Sequence, residues 1–223
     1  MALALTVGHV PTMAESNHGA APSSVSHASG PGVVVGIGDS TCTGLGASEA
    51  GFTERIWQRV SQRHPGTRWL NLCRSGAQLS DVLRQQMPRW NGTGGIVLVS
   101  AGANDVTSGT PDATFRREFS ELLDKALAHR PRAVIVSNIP DASMAPVIPP
   151  AFRPALAATI QRFNAQIAEV SREKNVLVFD TFAMSRAVLP RHPEFFSPDG
   201  YHPSDAGYRL WAEQLWPLVA GLL

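Results

Sequence analysis

The sequence predicts an α/β protein in which a parallel sheet of five strands carries helices on both faces. Five short apolar runs alternate along the chain with segments whose apolar residues follow helical spacing. Strands that alternate with helices form parallel sheets, because each connection must return to the end of the sheet where the next strand begins. A chain of 223 residues is long enough for one domain with a sizeable core, which we expect over residues 32–223.

The first predicted strand begins at Val33 and ends abruptly at Gly38, Asp39 and Ser40. Small and polar residues after a β-branched run indicate a tight turn. Ser40 should therefore lie at the carboxyl edge of the sheet, where open α/β sheets bind their ligands. The other four strands are predicted over residues 67–73, 94–100, 132–137 and 176–179.

The predicted helices follow from apolar spacing and from residues that begin or end helices. Thr110 is an expected N-cap with Pro111 in the first turn of a helix, and Ser204 is the expected N-cap of the last helix. Helical spacing covers residues 51–64, about 79–87, 115–127 and 156–170. Two proline-bearing loops are predicted over residues 138–150 and 189–198.

Composition and charge argue against several partners. The 19 basic and 18 acidic residues leave a formal charge of +1 without a basic stripe, so we expect no nucleic acid. No apolar run reaches the roughly 20 residues that span a bilayer, so we expect no transmembrane segment. Residues 1–31 are mostly Ala, Ser, Gly, Pro and His, which indicates a disordered tail, or else a degenerate signal sequence. We expect a cytoplasmic rather than a secreted protein.

Cys42 and Cys73 are the only cysteines, too few for a disulfide scaffold. Their usual role would be that of small buried hydrophobic residues. Both should lie near the same sheet edge, so a disulfide between them is a second hypothesis. Such a bond would tie the Ser40 loop to the next strand, and geometry decides whether it can form.

Several predicted strand or loop ends carry residues that nucleophilic catalysis needs. Ser40 supplies a hydroxyl, and His202 supplies an imidazole. Asp199 lies three residues before His202 across a turn at Gly200, so it can hold the imidazole in one tautomer. An imidazole close to Ser40 would activate the hydroxyl for attack on a carbonyl, and the resulting oxyanion needs preorganised donors. Candidate donors are the backbone N–H groups of Ser40 and Gly76 and the side-chain amide of Asn104.

These residues resemble the four motif blocks of the SGNH or GDSL-type hydrolase family. The blocks, in chain order, are Gly38-Asp39-Ser40, Gly76, Gly102-Ala103-Asn104-Asp105 and Asp199-Gly200-Tyr201-His202-Pro203. The resemblance implies a flavodoxin-like three-layer α/β/α fold and hydrolysis of carboxylic esters through an acyl-enzyme. It implies Ser40 as nucleophile, His202 as base and Asp199 as the group that orients the base. It also implies Ser40, Gly76 and Asn104 as the oxyanion hole.

Each of these residues also has a purely structural interpretation. Ser40 could cap a helix, and Asn104 could cap its own turn. His202 could be an ordinary loop histidine beside a proline. Asp141 and Asp180 also end strands and are rivals for the orienting carboxylate, although neither lies near a histidine in sequence.

The two irregular loops are expected to determine the substrate. Their apolar side chains would line the mouth of the site and favour an acyl chain over a bare acetyl group, so we expect short- to medium-chain acyl esters. A carbohydrate O-acetyl esterase, a thioesterase, a lysophospholipase and a non-catalytic binding module are the alternatives. The seven histidines show no metal-binding spacing, so neither a metal nor a cofactor is expected. The loop residues are Met144, Val147, Ile148, Phe152, Leu189, Phe195 and Phe196.

Overall fold

The computed structural model describes residues 30–223, and residues 1–29 of the predicted tail lie outside them. Within the described residues, five strands form one parallel sheet in the order β2-β1-β3-β4-β5. All five predicted strands are present at nearly the predicted bounds. They are β1 (Val33–Gly38), β2 (Arg68–Asn71), β3 (Ile96–Ser100), β4 (Ala133–Ser137) and β5 (Leu177–Phe179).

Helices of very different lengths connect the strands. Over residues 30–223 they are α1 (Ser40–Thr43), α2 (Phe52–Arg63), α3 (Leu79–Asp81), α4 (Ala103–Thr107), α5 (Asp112–Ala128), α6 (Arg153–Glu173), α7 (Thr181–Val188) and α8 (Asp205–Ala220). A π-helical turn covers Val82–Gln86, and 3₁₀ turns cover Met87–Arg89, Ala142–Met144, Pro150–Phe152, Leu189–Arg191 and Pro193–Phe195. Among these helices, none is long and apolar enough to cross a membrane.

Two helix starts can be compared directly with the sequence. Ser204 is the N-cap of α8, as predicted, and its hydroxyl accepts from Gly207 N at 3.3 Å. The start of α5 is one residue later than predicted, because Pro111 has an extended ψ of 140° and is itself the N-cap. The Thr110 hydroxyl donates to Asp105 Oδ1 at 3.2 Å, so it is engaged away from the helix.

The sheet separates two hydrophobic cores, because successive strand residues point to opposite faces. Val35 and Ile37 of β1 pack with α5 and α6 in one core. Val34 packs with α2 and α8 in the other, where Phe52 and Trp211 stack with ring centroids 4.3 Å apart. The predicted three-layer α/β/α arrangement is therefore confirmed.

The strand order positions the candidate site. The chain leaves β1 for β2 on one side of it and then crosses to β3 on the other side. Connections that diverge in this way leave a crevice at the carboxyl ends of the two central strands. Ser40 follows β1 and Asn104 follows β3, so both lie at this crevice.

The two cysteines form a disulfide, which agrees with the second hypothesis from the sequence. Cys42 lies in α1 and Cys73 follows β2, with their Cα atoms 5.7 Å apart. Cys42 is also buried, as a small hydrophobic residue would be. The bond joins the segment that carries Ser40 to the segment that leads to Gly76.

Candidate active site

The turn that presents Ser40 depends on the backbone freedom of Gly38. Gly38 has φ +144°, and a Cβ added there would lie 1.8 Å from the carbonyl oxygen of Ser100. This close approach of β1 to β3 lets Asp39 N donate to the same oxygen at 2.9 Å. The Asp39 carboxylate then caps α1 by accepting from Thr41 N at 3.0 Å, so that Ser40 begins the helix.

The side chain of Gln86 stabilises the same turn through two hydrogen bonds to Gly38. Its Oε1 accepts from Gly38 N at 2.9 Å, and its Nε2 donates to Gly38 O at 2.8 Å. Gln86 is buried in the π-helical turn. It bonds to both the N–H and the C=O of Gly38, which lies two residues before Ser40. The sequence analysis missed this residue, because no local pattern links a glutamine to a strand 48 residues away.

Ser40, His202 and Asp199 form a continuous chain of contacts. Ser40 Oγ lies 3.0 Å from His202 Nε2, and His202 Nδ1 lies 2.7 Å from Asp199 Oδ2. An ionised carboxylate can only accept, so the proton of the neutral ring belongs on Nδ1. His202 Nε2 is then free to accept the hydroxyl proton of Ser40, which is the arrangement that activates a serine.

Asp199 is held as an anion by the loop that carries it. Its Oδ1 accepts from Tyr201 N at 2.8 Å, His202 N at 2.9 Å and Ser197 Oγ at 2.7 Å. Partial burial raises the pKa of Asp199, but the hydrogen bonds from His202, Tyr201 and Ser197 outweigh it and hold the pKa well below its usual range. The carboxylate is therefore charged wherever the imidazole can work as a base.

Gly46 lies closely against the loop that carries His202. Its φ is +96°, and an added Cβ would lie 2.9 Å from His202 Cβ and 2.7 Å from Pro203 O. A larger residue at this position would therefore require this loop to shift. This residue was not identified from the sequence, where it is one of 19 glycines.

The three predicted oxyanion donors face one cavity beside Ser40. Ser40, Gly76 and Asn104 all line it. Asn104 Nδ2 donates one hydrogen bond to Ala77 O at 3.0 Å, which orients the amide and leaves its second N–H available. The arrangement can therefore offer donors to an oxygen that gains charge next to the serine.

Two buried carboxyls near the site have structural partners. Asp39 accepts from Thr41, and Asp105 accepts from Leu79 N at 3.0 Å and from the Thr110 hydroxyl. Burial, only partly offset by these hydrogen bonds, raises the pKa of Asp39 to about 6 and that of Asp105 also to about 6. Neither carboxyl contacts Ser40 or His202 by a hydrogen bond in the described part of the chain.

The two rival carboxylates bind other partners. Asp141 accepts from the Ser143 hydroxyl, and Asp180 accepts from Asn138 Nδ2 at 2.9 Å and caps α7 through Ala183 N. In residues 30–223, neither of them hydrogen-bonds to a histidine. The same residues contain no cluster of three or more His, Cys, Asp and Glu side chains that could hold a metal ion.

The cavity beside Ser40 has a volume of about 370 Å³ and a mostly apolar lining. Phe196, Leu189 and Phe195 contribute to it, as predicted. Met144, Val147, Ile148 and Phe152 do not line it, so their role in substrate binding stays a prediction. The first loop turns outwards through its 3₁₀ turns, which leaves Val147 and Phe152 exposed and directs Met144 to a neighbouring cavity.

Helix α7 provides the wall that the sequence analysis assigned to the first loop. Met184 and Val188, four residues apart on one face of α7, both line the cavity. The signal in the sequence was Asp180 as an N-cap followed by this apolar pair, which is typical of a short helix. Further lining residues that were not predicted are Leu45, Ile139, Tyr201, Leu210 and Trp211.

Solved structures of hydrolases share this fold. A lipase/acylhydrolase from Enterococcus faecalis is 21% identical and superposes with a TM-score of 0.66, covering 85% of this chain and 95% of its own. TesA is 21% identical, with a TM-score of 0.68 over 86% of this chain and 99% of its own. A mutant of Axe2, an acetyl-xylooligosaccharide esterase from Geobacillus, is 19% identical, with a TM-score of 0.67 and coverages of 85% and 94%. No curated protein matches the sequence.

A doubly wound sheet of this order, with a serine at its carboxyl edge, defines the GDSL/SGNH class of α/β hydrolases. The family model of the GDSL-like lipase/acylhydrolases matches residues 37–210. The chain belongs to that family, whose members hydrolyse esters.

Proposed function

We propose that this protein hydrolyses short- to medium-chain carboxylic esters through an acyl-enzyme, with Ser40 as nucleophile, His202 as general base and Asp199 as its orienting group. The observation that carries the proposal is the 3.0 Å contact between Ser40 Oγ and His202 Nε2, with His202 Nδ1 fixed by Asp199. A hydroxyl and an imidazole in this contact can exchange the proton that nucleophilic attack must release.

The first half of the reaction forms the acyl-enzyme. Ser40 Oγ attacks the ester carbonyl carbon while His202 Nε2 takes the hydroxyl proton. The carbonyl oxygen becomes an oxyanion, stabilised by the N–H groups of Ser40 and Gly76 and by the Asn104 amide. The bond to the alcohol then breaks, and His202 gives the proton to the departing oxygen.

The second half of the reaction returns the free enzyme. His202 takes a proton from a water molecule as the water oxygen attacks the acyl-enzyme carbonyl. The same donors stabilise the second oxyanion, and its collapse releases the carboxylic acid and reprotonates Ser40. Side chains and amides of this chain handle every proton and charge in these steps, so we propose that hydrolysis is metal-independent and expect it to persist after treatment with EDTA.

Covalent labelling tests the nucleophile. A fluorophosphonate probe should form one adduct, which mass mapping assigns to Ser40, and Ser40→Ala should remove it. Ser75→Ala is the matched control, since this exposed serine beside Gly76 hydrogen-bonds to the Thr43 hydroxyl, and labelling of the variant should stay normal. An unlabelled wild-type protein would favour a binding module without chemistry.

The cavity supports the preference for an acyl chain. A volume of about 370 Å³ with an apolar lining exceeds what an acetyl group fills. Rates on acetate, butyrate and octanoate esters of one alcohol measure this preference, and we expect the longer chains to have the higher kcat/KM. A clear preference for acetate would favour a carbohydrate O-acetyl esterase, a class that includes the Geobacillus relative.

A further inference from the structure

A second cavity adjoins the catalytic cavity. It has a volume of about 820 Å³ and lies between the start of α6 and the end of α7. Asp141, Leu189 and Phe196 line both cavities. The two cavities are therefore neighbours that share part of their walls, and we call the second one the outer cavity.

The outer cavity carries two guanidinium groups. Arg153, at the start of α6, is half-buried, and its Nε donates to Ile148 O at 3.0 Å. This bond fixes the plane of the guanidinium, while the two terminal nitrogens have no partner among residues 30–223. Arg186, near the end of α7, lines the same cavity with a half-exposed side chain.

One carboxylate faces these two cations. Asp141 is 2% exposed and accepts from both the backbone N and the hydroxyl of Ser143, so its charge is already engaged. Arg186 Nη1 lies 3.5 Å from Asp141 Oδ2. Among residues 30–223, no other titratable side chain lines the outer cavity, so its described lining carries an excess of one positive charge.

We propose that the outer cavity binds an anionic group, a carboxylate or a phosphate, at the end of the ester distant from the reacting carbonyl. The planar fork of arginine matches both groups and holds either of them through paired charge-assisted hydrogen bonds. The preferred substrates are then amphiphilic esters with an apolar chain and one anionic end. This inference rests on the proposed ester hydrolysis and adds the substrate class.

Two matched pairs of esters test the inference. The carboxylate pair is mono-p-nitrophenyl suberate against p-nitrophenyl octanoate, and the phosphate pair is the p-nitrophenyl ester of 8-(phosphonooxy)octanoic acid against that of 8-hydroxyoctanoic acid. We expect the wild-type protein to show the lower KM for the anionic member of at least one pair. The pair that shows the larger ratio identifies the anion.

The arginines are tested by neutral variants of similar size. Arg153→Gln should raise the KM of the preferred anionic ester, relative to that of its neutral partner, by about tenfold, which is the worth of one charge-assisted hydrogen bond. Arg186→Gln should have a smaller effect, roughly threefold, because solvent and Asp141 already screen its charge. Arg162→Gln is the matched control, because Arg162 lies on α6 but pairs with Asp112 at the surface, and the ratio should not change.

Binding to the Ser40→Ala variant separates this inference from the proposed function, because it needs no turnover. Calorimetry should show tighter binding of the anionic member, and adding Arg153→Gln should reduce the difference by about tenfold. Equal binding of both members of both pairs would overturn the inference even if neutral esters are hydrolysed. The inference would also be overturned if Arg153→Gln and Arg186→Gln each raised the KM of the anionic and the neutral ester by the same factor.

Discussion

The variant Asn104→Ala distinguishes a role of this amide in the oxyanion hole from a purely structural role. Ser40→Ala and His202→Ala should each lower kcat by about 10⁶, as expected for members of one nucleophilic unit. Asn104→Ala should lower kcat by roughly 10² to 10³, because one of several donors is lost. The rate of ester hydrolysis measures both losses in kcat. Ser108→Ala, at the end of α4, is the control and should leave kcat unchanged. Full activity in Asn104→Ala would show that the amide only orients its own turn.

Asp39 should make stability depend on pH. Its folded pKa of about 6 lies above the ordinary value of 3.8. Between these values the folded state binds more protons than the unfolded state, so the free energy of unfolding falls as pH rises through this window. Asp39→Asn keeps an oxygen for Thr41 N and lacks this titration. Its stability relative to wild type should increase by about 2 kcal/mol from pH 4 to pH 7.

Urea unfolding at several pH values measures this difference. The comparison uses the midpoint and slope of each transition, so a change in the unfolded state is detected separately. A constant difference between Asp39→Asn and wild type across the window would mean that Asp39 titrates normally in the folded protein.

Sequence spacing was informative for residues whose partners are near in the chain or follow successive strands. Asp199 and His202 are three residues apart, and Ser40 follows a recognisable buried strand, so their approach at one edge could be predicted. The expected cavity lining differs from the observed one at Met144, Val147, Ile148 and Phe152. Their side chains belong to an irregular loop with no period, and the direction of each depends on turns that only tertiary packing determines.

We expect the contact between the Gln86 side chain and Gly38, rather than helix propensity, to stabilise the π-helical turn Val82–Gln86. Gln86→Met keeps the length and burial of the side chain but leaves Gly38 N–H without a partner, while Gly38 C=O keeps its bond from Arg74 N. A buried N–H without a partner destabilises the fold, so the free energy of unfolding should fall by about 1 to 3 kcal/mol. Chemical denaturation measures this change.

Gln85→Met is the control for the same turn. Gln85 is exposed and bonds to Asp81 and Arg74 at the surface, so its loss should change stability by less than about 1 kcal/mol. Similar losses in both variants would mean that the turn responds to helix propensity and not to the contact with Gly38.

The elements themselves were predictable where the apolar period was strong. All five strands and the helices α2, α5 and α6 follow from it, whereas α8 was predicted from Ser204 as its N-cap. The residues of α3 and the π turn were predicted as one regular helix, because Gln86 bonds to Gly38 across a distance that no local window covers. Helix α7 was missed because it is short and is followed directly by the prolines of the second loop.

The Cys42–Cys73 disulfide should stabilise the whole molecule. It closes a loop between residues 31 positions apart, and chain entropy predicts a stabilisation of about 3 to 4 kcal/mol for such a loop. Cys42→Ala combined with Cys73→Ala should lower the free energy of unfolding by this amount. A reduced wild-type sample is the second measurement and should shift in the same direction.

The Cys42–Cys73 disulfide is also relevant to the cellular compartment in which the protein folds. The cytoplasmic location expected from the sequence stays a prediction, whereas disulfides usually form and persist in oxidising compartments. Thiol titration of denatured, unreduced protein should find no free thiol. Two free thiols would contradict the disulfide and would remove the argument for an oxidising environment.

The contact between Ser40 and His202 joins the first strand to the loop that precedes the last helix. A ribosome therefore makes the imidazole 162 residues after the hydroxyl. Until that loop has emerged, the nascent chain holds the serine and the amide donors without a group to take the proton. Fragments that end before residue 199 should thus be inactive towards esters, because they lack both the base and the carboxylate that orients it.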